Sequence, residues 1–224
     1  MRIILFAFLL VPVSLFSQKI DSMHSYYTYL ALGDSYTIGE GVQLNKNFPY
    51  QAVCQLREKG LSVTAPEIIA KTGWTTDELE DGIKRCKLLP KYDFVSLLIG
   101  VNNQYRGGDV MIYKMEFEEL LKKAIRFAND KASHVIVISI PDYSVTPFVK
   151  KEEAEKVARE IDVFNNINKA VSIQYKVQYM DITSLSREAG HNPSLTIQDH
   201  LHPSATAYEK WASKLTEIML NLLK

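Results

Sequence analysis

Three residues have the types needed for nucleophilic acyl transfer: Ser35 in Leu32-Gly33-Asp34-Ser35-Tyr36-Thr37, and Asp199 and His202 in Asp199-His200-Leu201-His202-Pro203. A serine hydroxyl is a weak nucleophile at its own pKa. It needs an imidazole to take its proton and a carboxylate to fix the imidazole's tautomer. The chain order Ser, Asp, His is no obstacle, since such triads are defined by geometry and roles. Ser35 follows the short apolar run 29–32 and precedes Gly39 and Gly41, so the backbone can turn sharply there and expose the hydroxyl. A turn serine that only caps is the competing reading. Asp34 reads as a turn or capping residue rather than a second acid.

Pro203 biases His202 towards extended backbone, and Asp199 lies close enough before it for one turn to bring carboxylate and imidazole together. Asp199 would bind Nδ1–H and leave Nε2 for Ser35. His200 is the rival base, and Asp199, His200 and His202 together are a metal alternative. No third spaced ligand cluster supports it, so the reading is a metal-free site built on His202. A tetrahedral intermediate also needs donors ordered before reaction. The candidates are the backbone N–H of Ser35, that of Gly73 in Lys71-Thr72-Gly73-Trp74-Thr75, and the side-chain amide of Asn102. A plain loop glycine and a plain turn asparagine stand beside those two readings.

These residues need elements to hold them. Short β-rich runs occur at 28–32, 62–65, 94–99, 135–140 and 177–180. Helical stripes lie between them: Tyr113, Phe117, Leu120, Leu121, Ala124 and Ala128; then Ala154, Val157, Ala158, Ile161, Phe164 and Val171; then Ala207, Tyr208, Trp211, Ala212, Leu215, Ile218, Met219 and Leu222. Shorter helices are expected over 49–59 and 76–87, the latter opened by Thr75 and Glu78 at capping-box spacing. Strands alternating with helices imply right-handed crossovers and a parallel sheet covered on both faces, an α/β fold with three α/β/α layers. In such sheets ligands bind beyond the carboxyl ends of the strands, where Ser35, Asn102 and Asp142 fall.

The chain has 224 residues, enough for one substantial core. Its 26 Lys and Arg balance 26 Asp and Glu, which leaves no electrostatic footprint for nucleic acid. Residues 1–17 combine a basic start, an apolar run from Ile3 to Phe16 and a small residue at Ser17, the pattern of a secretory signal peptide. That run is short for a membrane span, so a stable anchor is not expected and 18–224 is read as one exported domain, secreted or periplasmic. Cys54 and Cys86 fall on apolar stripes of the expected helices, as a disulfide or as free buried thiols.

The four segments together resemble the blocks of the SGNH, or GDSL, hydrolase family, which supply Ser, Gly, Asn and His in that order. Here they are Gly33-Asp34-Ser35, Gly73, Gly100-Val101-Asn102 and Asp199-His200-Leu201-His202. The resemblance spans about residues 29–203 and implies a flavodoxin-like sandwich of about five parallel strands, an acyl-serine intermediate and no cofactor. One position departs: the third block usually reads Gly-x-Asn-Asp, and Asn103 replaces the aspartate. Any loop ordering that the acid provides must come from neutral hydrogen bonds, so altered loop geometry rather than lost activity is expected. Asn103 joins Tyr36, Trp74, Tyr105, Tyr143 and Phe148 as candidate substrate contacts, the aromatics being equally readable as core cover, and Arg106 reads as a contact for a phosphate or carboxylate or as a solvated side chain. Short-chain or O-acetyl esters, glycan esters included, are the expected substrates. Lysophospholipid or acyl-thioester is the alternative, and a silent glycan- or lipid-binding module is the rival of another class.

Overall fold

The runs Phe94–Leu98 and Val135–Ile138 are buried at every position, as strands covered on both faces must be. The computed structural model describes residues 26–224, so the expected signal peptide lies outside the described residues. The chain runs β1 (Tyr29–Asp34), α1 (Ser35–Ile38), α2 (Phe48–Glu58), β2 (Glu67–Lys71), α3 (Thr76–Arg85), β3 (Phe94–Leu98), α4 (Val101–Tyr105) and α5 (Val110–Phe127). It continues through β4 (Val135–Ile138), α6 (Ala154–Tyr175), β5 (Gln178–Met180), α7 (Thr183–Arg187) and α8 (Ala205–Asn221).

All neighbouring strands are parallel, in the order β2-β1-β3-β4-β5. From β1 the chain moves one way to β2, then crosses back to β3 and keeps that direction to β4 and β5. Right-handed connections therefore put α2 on one face and α3, α5 and α6 on the other. The last helix, α8, returns to pack against α2, while α5 packs against both α3 and α6. Three layers result, as the strand and helix alternation predicted. The reversal of direction lies between β1 and β3, so the crevice at their carboxyl ends is the topological switch point. Ser35 directly follows β1, and Asn102 sits at the start of α4 just beyond β3.

Helical periodicity gives the right faces for α5 and α8, which bury Tyr113, Phe117, Leu120, Leu121 and Ala124, and Tyr208, Trp211, Ala212, Leu215 and Met219. In α6 the buried face mixes Ile161, Phe164 and Val171 with Asn165, Asn168 and Ser172. Asn165 accepts from Ile140 N–H at 2.8 Å and donates to Ile140 C=O at 2.9 Å, completing the hydrogen bonding of the chain beyond β4. Two expectations change. The second strand is Glu67–Lys71 rather than 62–65, where Val63 only makes an isolated bridge to Tyr27. Both cysteines are free and exposed, not buried: Cys54 lies off the face of α2 that buries Ala52, Val53 and Leu56, and Cys86 follows the end of α3.

The turn out of β1 is organised by Asp34, the N-cap of α1, whose Oδ1 accepts from Tyr36 N–H at 3.0 Å. Its Oδ2 is buried with no partner among the described residues. Burial lifts the carboxyl to about 7, against hydrogen bonds from the Tyr36 and Asp34 N–H groups that pull it down. A raised carboxyl pKa means that the folded chain holds this proton more tightly than the unfolded one. Stability is then lost as pH climbs from the ordinary carboxylate range to about 7. Asp34→Asn keeps the cap acceptor and removes the titration. Urea midpoints should show the variant gaining on the native chain between pH 5 and pH 8, by up to a few kcal/mol; parallel midpoints would mean that Asp34 is not held neutral.

Gly100, the N-cap of α4 two residues beyond β3, has φ +129, and a Cβ there would lie 2.4 Å from Tyr113 Oη. That phenol is buried, 2.6 Å from Asn168 Oδ1. Gly100→Ala is expected to cost about 2–5 kcal/mol through strain and overpacking, read as a lowered Tm.

Candidate active site

The loop before α8 folds around one carboxylate. Asp199 Oδ1 accepts from Leu201 N–H at 2.9 Å and His202 N–H at 3.0 Å, and Oδ2 lies 2.6 Å from His202 Nδ1. His200 turns the chain with φ 58 and is itself exposed, so it stands apart from this arrangement. On the far side of the ring, His202 Nε2 is 2.9 Å from Ser35 Oγ, across 167 residues of sequence. With Nδ1–H given to Asp199, Nε2 is free to accept the serine proton. Burial would raise the Asp199 carboxyl, but the bonds from the imidazole and two backbone N–H groups outweigh it and hold the group below its ordinary range. Tyr36 packs its ring 5.0 Å from that of His202 and 6.4 Å from that of Trp211, which limits the imidazole's freedom to tilt.

Two of the three expected oxyanion donors come from turns. As the first residue of α1, Ser35 has an N–H with no partner inside the helix. Trp74 N–H reaches Lys71 C=O at 3.2 Å and Gly73 has φ +84, the pattern of a type II turn whose central peptide bears the Gly73 N–H. A side chain at position 73 would favour the opposite flip of that peptide. Three contacts hold the turn: Thr72 donates to the Glu40 carboxylate, Arg106 donates to Gly73 C=O at 2.6 Å, and Asn102 Nδ2 donates to Trp74 C=O at 3.1 Å. Arg106 also pairs with Glu78 at 3.4 Å. It is therefore a brace of this turn, a role that neither the ligand-contact reading nor the solvated reading included.

Ser35, Gly73, Asn102 and His202 line one cavity of about 170 Å³. Its remaining wall is Tyr36, Tyr105, Tyr143 and Phe148, as expected, joined by Thr72, Val101 and Leu201, which no sequence signal marks. Tyr105, Tyr143 and Phe148 form a three-ring cluster with centroids 6.1 to 6.4 Å apart. Tyr143 is fixed by donating to Gln104 Oε1 at 2.7 Å. Two expected contacts are not on the wall. The ring of Trp74 lies over Gly82 of α3, where a Cβ would come within 2.2 Å of it. Asn103 is buried against Thr76, accepting from its N–H at 3.1 Å and donating to its hydroxyl at 2.7 Å. Asp142, also at a strand end, is engaged by Arg187 at 2.8 Å.

The architecture matches solved structures over nearly their full length. A lipase/acylhydrolase from Enterococcus faecalis superposes with TM-score 0.69 at 17% identity, covering 87% of this chain and 96% of that one. Axe2, an acetylxylan esterase from Geobacillus stearothermophilus, gives 0.68 at 18%, covering 86% and 94%. The esterase EstA from Pseudoalteromonas sp. gives 0.66 at 16%, covering 88% and 98%. At such identities these likenesses speak for the fold. No curated protein sequence matches the chain. The profile of the GDSL-like Lipase/Acylhydrolase family matches residues 31–210, most of the described chain, and with the four blocks at the switch point the chain belongs to that family.

Proposed function

We propose that the chain is an exported serine esterase that cleaves carboxylic esters carrying short acyl groups, O-acetyl groups on carbohydrate foremost. The observation that carries this reading is the continuous set of contacts from Asp199 through His202 to Ser35 Oγ. Ser35 Oγ attacks the ester carbonyl while His202 Nε2 takes its proton. The carbonyl oxygen, now negative, meets the N–H groups of Ser35 and Gly73 and the Asn102 amide. His202 then protonates the departing alcohol, leaving Ser35 acylated. Water, deprotonated by the same imidazole, attacks the acyl group, and collapse of the second tetrahedral intermediate returns the proton to Ser35. Asp199 keeps its charge throughout and stabilises the imidazolium.

Size supports the short acyl group. The cavity beside Ser35 has a volume of about 170 Å³, modest for a ligand pocket. The wall of Val101, Tyr143 and Phe148 is suited to a small apolar substituent, and the exposed face of Tyr105 offers a platform to the alcohol side. Export is supported by the apolar run behind Arg2.

A fluorophosphonate should label Ser35, and Ser35→Ala should lower p-nitrophenyl acetate turnover by at least about 10⁴-fold with the Tm unchanged; absence of labelling in the folded protein would instead favour a binding module. A base that must accept the Ser35 proton works only when neutral, and Asp199, held below its ordinary range, stays charged, so turnover should fall on acidification. A profile flat down to pH 4 removes the histidine from the reaction. Across a panel of p-nitrophenyl esters, kcat/KM should peak at acetyl to butyryl in the native chain, and Phe148→Ala should move the peak to longer chains. A native optimum at long acyl chains, or on lysophosphatidylcholine over acetylated xylan, would replace this assignment with the lysophospholipase one.

A further inference from the structure

Where the third block usually ends in aspartate, this chain has Asn103, and its side chain is tied to Thr76 by two hydrogen bonds. Thr76, the first residue of α3, is fully buried and presents two groups to position 103. Its N–H can only donate, so Asn103 Oδ1 must face it, 3.1 Å away. That orientation turns Asn103 Nδ2 onto Thr76 Oγ1, 2.7 Å away. The same hydroxyl donates its single proton to the carboxylate of Glu116 on α5. With the proton committed to Glu116, Thr76 Oγ1 has only lone pairs left for position 103, and that position must donate. Asparagine can; ionised aspartate cannot.

We propose that Glu116 and Asn103 are a matched pair of positioning residues that fix the two candidate oxyanion loops relative to each other through Thr76, with the carboxylate carried on α5 instead of at position 103. The lever arm is short. Asn102 and Asn103 are adjacent, Gly73 lies three residues before Thr76, and Asn102 Nδ2 also holds Trp74 C=O at 3.1 Å. A shift between α4 and the start of α3 therefore moves the Asn102 amide against the Gly73 N–H. This inference rests on the esterase reading, since its effect passes through those donors.

The test is a double-mutant cycle on p-nitrophenyl acetate hydrolysis, with kcat, KM and Tm measured for each protein. Asn103→Asp leaves two carboxylates facing one hydroxyl proton. Its kcat should drop by about 10-fold or more, with KM changed by no more than about twofold, as expected when donors serve the transition state rather than the ground state. Glu116→Gln alone should stay within about twofold of the native chain, because its Oε1 still accepts from Thr76. Combining the two frees the Thr76 proton for the carboxylate introduced at position 103 and should restore most of the lost kcat, a rescue that independent packing defects would not give. If Asn103→Asp does not fold, recovery of both folding and turnover in the double variant supports the proposal equally. Native-like kcat in Asn103→Asp, or a double variant no better than it, overturns the pairing. A native chain that hydrolyses no ester would sink the esterase reading itself, a result distinct from either.

Discussion

A 2.9 Å contact between Ser35 Oγ and His202 Nε2 ties the turn after the first strand to the loop before the last helix, and the chain between them must be laid out so that these ends meet. The sheet does this by its order. With β1 held between β2 and β3, Ser35 emerges at the switch point; with α8 returning onto α2, the loop that precedes it crosses the same carboxyl edge. Tyr36, Phe48, Tyr208 and Trp211 make the packed seam beneath, the ring of Tyr36 meeting those of both His202 and Trp211. Burial of this aromatic seam contributes to folding and also keeps the imidazole in place, so stability and site geometry share the same residues.

Much of this layout is legible in the residues because the signals are strong where burial is complete. The strands Phe94–Leu98 and Val135–Ile138 are apolar or small throughout, and α8 repeats its apolar residues over four turns. The edge strand β2 is hard to place from sequence for a physical reason. Glu67–Lys71 is only half-buried and begins and ends on a charged residue, as edge strands tend to, so its two isoleucines are all that marks it as a strand, no more than Val63 and Thr64 offer in 62–65. The apolar stripe of α6 says nothing of Asn165, Asn168 and Ser172, which share its buried face. Only the fold reveals that Asn165 satisfies Ile140's peptide groups.

At the site, residue types and spacing point to Ser35, Asp199, His202, Gly73 and Asn102, and the folded chain brings all five together. Proximity in sequence is a poorer guide to direction. Trp74 and Asn103 adjoin Gly73 and Asn102, yet one packs on Gly82 and the other on Thr76. Arg106, charged and following a turn, reads as either a ligand contact or a solvated side chain. Its partners, Gly73 C=O and Glu78, are 33 and 28 positions away in sequence and no local pattern announces them.

Two aspartates near the nucleophile divide their duties by environment alone. Asp34, adjacent to Ser35, is fully buried with one oxygen unpartnered among the described residues, and its carboxyl is pushed up to about 7. Asp199 is partly exposed, receives three hydrogen bonds and stays charged. A carboxyl whose ionisation is penalised by burial is a poor stabiliser for a transient imidazolium, whereas one already charged and paired gains as the imidazole takes its proton. The assignment of the orienting acid to Asp199 thus follows from solvation as well as distance. Asp34 is left to what a buried carboxyl that ionises reluctantly does well: it accepts from Tyr36 N–H and fixes the first turn of α1, from which the Ser35 hydroxyl projects towards His202.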